Sequence, residues 1–189
     1  VSDLKPITAL GGAVSRAQSF GALSIVENSG LALASLALRD GMTPPIPMGL
    51  TLPGPGGWTT GGDVAAFWTG PGQWMIEAEG KAEEDFAAAL AAQVPGGFVT
   101  EQTDGWVAFE ISSAAGEGPI RRLMEKVVNV DVAGFAPGCA TRTGLEHMSV
   151  FLIRRAEDRL AIIGMRTLAA SLWHALETAA TRLQDHPAA

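Results

Sequence analysis

Apolar and polar residues alternate along several short stretches of the chain and recur every three to four positions along others, which predicts strands and helices in mixed order. Residues 22–27 and 31–38 flank Asn28-Ser29-Gly30, a layout that predicts a hairpin because Asn and Gly tolerate the positive φ of a tight turn. The Ala and Leu content of 31–38 also suits a helix. Residues 64–69 and 73–78, with Phe67, Trp68, Trp74 and Ile76, predict a second hairpin about Gly70-Pro71-Gly72. A third is predicted from 98–103 and 106–112, because Asp104-Gly105 suits a type I′ turn. Alternation over 147–155 and 159–165 predicts two central strands joined at Glu157-Asp158.

Three segments carry the helical period. Over 82–94, Phe86 and Leu90 share a face, Glu83, Glu84 and Asp85 suit the first turn, and Pro95-Gly96-Gly97 ends the run. Pro119 opens a second helix with Ile120, Leu123, Met124 and Val127 inward, ending near 128–131. Leu168, Leu172, Leu176 and Leu183 stripe a closing helix over 167–183. Between 41 and 62, Pro44, Pro45, Pro47, Pro53 and Pro55 alternate with glycines, which predicts a long irregular arm. Strand pairs separated by single helices argue for an α+β fold, with antiparallel or mixed sheets and helices packed on one face. The expected organisation is an N-terminal hairpin and arm over 1–63 and an α+β domain over 64–184, forming one compact unit.

Composition sharpens this picture. The chain is 47% hydrophobic and 17% charged, against about 25% charged in ordinary globular proteins, which implies a large core or a large buried interface. A net charge of −7 opposes binding to a phosphate backbone, so no nucleic-acid partner is expected. Arg121-Arg122 and Arg154-Arg155 are read as charges turned to solvent. No apolar run reaches the ~18 residues of a membrane span, and residues 1–10 lack a basic-then-apolar signal pattern, so a cytoplasmic protein without membrane contact is expected.

Candidate chemistry is sparse. Nucleophilic catalysis needs a base within reach of a nucleophile, and the three histidines, His147, His174 and His186, have no partner in the sequence pattern. Cys139 is the single cysteine and is read as a packed thiol, so neither a disulfide nor a thiol-rich metal site is expected. The glycines of 54–62 lack the spacing of a phosphate loop, and Glu83-Glu84 and Glu157-Asp158 fit a helix start and a turn. No catalytic, cofactor-binding or metal-binding residue is assigned. Five tryptophans occur without a tyrosine. Trp74 and Trp106 are read as core, and Trp58, in the arm, as an interface anchor where the arm lies on a larger partner.

Several segments, in order, resemble the gamma subunit of heterotetrameric sarcosine oxidase. Residues 67–76, FWTGPGQWMI, are similar to that family's LWLGPDEWLL, and 99–106, VTEQTDGW, to its VTDVSDG. Gly118-Pro119 with Arg122-Leu123-Met124, then Val130-Asp131 with Phe135, Pro137, Gly138 and Cys139, then residues 165–173, continue the likeness over 64–183. Glu101 stands where the family has Asp, and Thr167-Leu168 where it has Ser-Phe. The resemblance implies a fold related to the folate-binding domain of the glycine-cleavage T protein. It also implies a non-catalytic subunit assembling with alpha, beta and delta partners that demethylate sarcosine to glycine and pass the one-carbon unit to tetrahydrofolate. FAD, FMN, NAD, zinc and tetrahydrofolate would reside on those partners. The competing reading is a free-standing folate-binding aminomethyltransferase-like protein, which would need an acid such as Glu101 or Asp104 in a pocket.

Overall fold

The computed structural model describes residues 5–185. Among the described residues, eleven strands form two antiparallel sheets, and three α-helices flank them. The six-stranded sheet contains β1 (Ala17–Phe20), β2 (Leu23–Asn28), β8 (Trp106–Ser113), β11 (Arg159–Met165), β10 (Met148–Ala156) and β9 (Ala140–Leu145), in that spatial order. The five-stranded sheet runs β4 (Trp58–Gly61), β5 (Val64–Gly70), β6 (Gln73–Ala78), β3 (Ala32–Ala37) and β7 (Phe98–Glu101).

Alternation along each strand divides the apolar residues among three cores. Between the sheets lie Leu33, Phe67, Met75, Phe151, Ile153 and Ile163. On the outer face of the six-stranded sheet, Ile25, Phe109 and Leu152 meet α2 (Glu117–Val127) and α3 (Ala169–Asp185). On the outer face of the five-stranded sheet, Leu36, Trp74 and Ile76 meet Phe86 and Leu90 of α1 (Phe86–Gln93). Each sheet thus bears its helices on one face and turns the other toward its mate. The fold is α+β, as the pattern of elements predicts.

The local hairpins β5–β6 and β10–β11 form at the expected places, with Phe67 opposite Met75 and Phe151 opposite Ile163. The other two predicted hairpins do not form. β2 pairs with β1 and β8, whereas β3 pairs with β6 and β7, so Asn28-Ser29-Gly30 carries the chain from one sheet to the other. The Asn28 side chain accepts from Gly30 N and donates to Glu79, fastening this crossing. The β7–β8 link crosses back, through a 3₁₀ turn at Thr103–Gly105, and Gly105 is not among the positive-φ glycines.

Three further expectations are revised. α1 begins at Phe86, since Asp85 caps it by accepting from Ala88 N at 3.0 Å. The arm ends in β4, which pairs with β5, and its middle lies on the chain's own sheet, with Leu50 buried and Pro53 O accepting from Trp74 Nε1 at 2.8 Å. Arg154 is buried and Arg155 partly buried, rather than turned to solvent.

Candidate functional site

Opposite the shared core, the two sheets enclose a cleft of about 950 Å³ whose lining includes Trp58, Glu77, Glu110 and Arg155. Each of these comes from a different strand. Glu77 faces inward from β6 in register with Ala65 and Leu33, and Glu110 faces inward from β8 opposite Ala161 and Val26. Arg155 follows Phe151 and Ile153 on the inward face of β10, at an irregularity in the β10–β11 pairing, and alternation turns Arg154 to the opposite face.

The guanidinium joins the sheets. Arg155 Nη2 donates to Glu77 Oε2 at 2.6 Å and to Glu110 Oε1 at 2.8 Å, and its Nε donates to Glu110 Oε2 at 3.0 Å. Glu77 Oε1 also accepts from Trp58 Nε1 at 2.9 Å, and Arg155 sits 5.4 Å from the Trp58 ring centroid. Burial pushes the Glu110 carboxyl above its ordinary pKa, a push that the Arg155 charge only partly offsets. Burial alone would lower the Arg155 pKa, but Glu77 and Glu110 outweigh it and hold the guanidinium more firmly charged. The cluster is therefore a clamp of two carboxylates on one guanidinium, whose oxygens are already engaged. Trp58, read from sequence as an outward anchor, is an inward member of it.

A smaller cleft of about 510 Å³ opens beside the sheet-crossing segments, with Leu31, Leu33 and Trp106 as apolar lining and Lys5, Asp104 and Arg166 at its polar parts. The two acids singled out for a folate-dependent reaction are not placed alike. Asp104 has a fully exposed side chain 3.9 Å from Arg166. Glu101 is spent on the backbone: its oxygens accept from Ala87 N, Gln102 N, Thr103 N and the Thr103 hydroxyl. Although partial burial raises its pKa, the Thr103 hydroxyl and these N–H groups overcome that and hold it below the ordinary carboxylate value.

The remaining candidates are dispersed. His147 is exposed in the β9–β10 turn, His174 is exposed on α3, and His186 lies outside the described residues. Cys139 is half-buried, and its backbone bonds to Ala136 and Arg154. Among the described residues no three His, Cys, Asp or Glu side chains are grouped to hold a metal ion. Also among them, no helix is long and apolar enough to cross a membrane. Sequence reasoning missed Glu77, Glu110 and Arg155. Their signal was a lone charge at the end of or within an apolar strand, in WMIEA, VAFEIS and FLIRR.

No family model and no curated protein sequence matches the chain. Solved structures do. A chain of the heterotetrameric sarcosine oxidase from Corynebacterium sp. U-96, in complex with pyrrole 2-carboxylate, superposes with a TM-score of 0.75 at 19% identity, covering 91% of this chain and 90% of that one. The fold is that of a sarcosine oxidase chain. The glycine cleavage system aminomethyltransferase T from Bartonella henselae is similar with a TM-score of 0.57 at 13% identity, over 82% of this chain but 48% of that one. This chain thus shares the fold of about half the aminomethyltransferase and of nearly the whole oxidase chain.

Proposed function

We propose that this chain is the non-catalytic gamma subunit of a heterotetrameric sarcosine oxidase, working with alpha, beta and delta subunits that demethylate sarcosine to glycine and transfer the one-carbon unit to tetrahydrofolate. The observation that carries this reading is the end-to-end correspondence: 91% of this chain aligns with 90% of one chain of such a heterotetramer, leaving no large piece of either unmatched. The ordered motifs over 64–183 support it independently. So does the site, where Arg155 ties up both inward carboxylates and Glu101 is spent on backbone N–H groups. FAD, FMN, NAD, zinc and tetrahydrofolate are accordingly assigned to the partners, and no chemical step is assigned to this chain.

The test is to co-express the chain with the alpha, beta and delta subunits of its own organism and follow size-exclusion elution and sarcosine-dependent oxygen uptake. Co-elution in one active complex is the expected result. A chain that elutes alone, or that by itself binds tetrahydrofolate and releases methylene from an aminomethyl donor, would replace this reading with the free-standing aminomethyltransferase-like one.

A further inference from the structure

The helical layers on the two outer faces of the molecule differ in their charge. On the six-stranded sheet, α2 exposes Glu125 and Lys126, and α3 exposes His174 and carries Glu177 at its margin, as helices between a core and water ordinarily do. On the five-stranded sheet, α1 has no ionisable residue at all. Its sequence, FAAALAAQ, is apolar on nearly every side: Phe86 and Leu90 are buried, yet Ala88, Ala89, Ala91 and Ala92 are exposed. A helix that is apolar all round is normally covered all round. Here the chain covers one side only.

The arm beside α1 shares this character. Residues 41–52 and 86–97 contain no Asp, Glu, Lys, Arg or His, although 17% of the whole chain is charged. The two stretches form one surface. The 3₁₀ turn Pro47–Gly49 touches α1, Met48 and Leu50 pack into the same core as Phe86 and Leu90, and a Cβ on Gly96 would lie 3.7 Å from Met42 Cε. Ten of residues 41–52 and nine of residues 86–97 are not buried, and Ile46 is 66% exposed. That is close to the ~20–30 residues that a stable protein interface uses on each side. The nearest ionisable residues in sequence stand at the edges: Arg39 and Asp40 before the arm, Lys81, Glu83, Glu84 and Asp85 before α1. Glu101 joins them, reaching Ala87 N from β7. An uncharged centre inside a polar rim is the composition of an interface core.

We propose that the face made by α1 and the arm is the docking surface for a partner subunit, which covers it with an uncharged, apolar helical face. The surface itself selects this occupant. A charged side chain pressed against it would lose water without gaining a partner, so the covering face is uncharged at its centre. Alanines on the exposed side of α1 let a second helix approach to about 8 Å, the short end of helix–helix separations. A second copy of this chain would set an identical rim, richer in acids than in cations, against this one, and like-charge repulsion opposes that pairing. The proposal rests on the subunit reading and adds to it where, and with what chemistry, the partner is held.

The experiment uses the full chain co-expressed with its alpha, beta and delta subunits, unmodified or carrying A88E with A92K. This pair leaves the net charge unchanged, stands one turn apart on the exposed side of α1 and supports the helix, so folding is retained, which urea midpoints of the purified chain verify. The unmodified chain should co-elute with its partners, and the double variant should lower the co-eluting fraction by about tenfold or more, because two ions would be drawn out of water at the contact. K126E on α2, on the opposite side of the molecule, should leave co-elution unchanged. Undiminished co-elution of the folded double variant, or an equal loss with K126E, would overturn the docking surface while leaving the subunit reading intact. Failure of the unmodified chain to co-elute would remove both. In a second measurement, benzoylphenylalanine placed at Ala92 should crosslink within an uncharged helical stretch of a partner subunit. Crosslinking to a charged stretch, to a second copy of this chain or to nothing would overturn the proposed occupant.

Discussion

Arg155 of the six-stranded sheet and Glu77 of the five-stranded sheet meet at 2.6 Å, with Glu77 only 2% exposed. Two charges withdrawn from water this far are worth keeping only when nearly all their bonding capacity is met, and Glu110 and Trp58 complete it. Removing one member therefore costs more than the pair contributes.

Arg155→Met should destabilise the chain by about 3–5 kcal/mol at neutral pH, because Glu77 and Glu110 would face each other without a cation. The same substitution should raise the Glu110 pKa further, since the guanidinium is what now restrains it. The sign follows from proton binding: a carboxyl raised in the folded state holds more protons there than in the unfolded chain. Stability thus falls as pH rises from the ordinary carboxylate range through the raised value. In Arg155→Met this decline should extend to higher pH, measured by urea midpoints across a pH series and by carboxyl NMR titration of Glu110.

Trp58→Phe keeps the ring and deletes the Nε1–H that donates to Glu77. A loss of about 1–2 kcal/mol is expected, the cost of one missing bond to a buried charged acceptor. Chemical denaturation checks it. A Trp58 that served only an external partner would show no change in the isolated chain.

Arg154 has the opposite expectation. Its side chain is 2% exposed, Nε and Nη1 have no hydrogen-bond partner, and burial lowers its pKa. Arg154→Met should be neutral or stabilising by about 1–3 kcal/mol, because an apolar residue of similar length relieves an uncompensated buried cation. A clear loss of thermal stability would show that the Glu157 carbonyl and Glu117 compensate the charge better than these contacts indicate.

Glu101 and Thr103 give a pH test of opposite sign. A carboxylate held below its ordinary pKa contributes stability that is present above that value and is lost as pH falls through the depressed one. Glu101→Gln should lower stability at neutral pH and flatten the acid limb of the stability curve. If Glu101 were instead a catalytic acid, the substitution would remove activity and leave that limb unchanged.

Two glycines should respond differently to alanine. At Gly164 a Cβ would lie 2.7 Å from Leu172 Cδ2, where α3 rests on β11, so Gly164→Ala should cost about 1–3 kcal/mol through overpacking. At Gly105 the nearest atom is 3.9 Å away and φ is not positive, so Gly105→Ala should shift stability by less than about 0.5 kcal/mol. A type I′ turn at Asp104-Gly105, as the dipeptide suggests, would instead resist alanine through strain at positive φ.

That contrast marks where the sequence was legible. Elements whose partners lie next to them, such as β5 with β6 or β10 with β11, show themselves through alternation and an intervening turn. Alternation does not say which sheet a strand joins. Asn28-Ser29-Gly30 and Asp104-Gly105 therefore read as hairpin turns although both carry the chain across the gap between sheets. β1 and β9 went unseen because AQSF and ATRTGL are short, partly exposed edge strands without an apolar face strong enough to register. The clamp was hidden for a related reason: Glu77, Glu110 and Arg155 are far apart in sequence, and each looks like a stray charge until topology brings them together.

The two crossings also have a kinetic consequence. Leu23 must find Ser113, and Leu36 must find Val99, before either sheet is closed, so much of the loop-closure entropy is spent before the contacts that repay it form. β2 and β3 are made well before β8 and β7, the strands that close their far edges, and until then those edges stay open. Slow folding with a long aggregation-prone interval follows. A chaperone that shields these edges should raise the yield of folded chain.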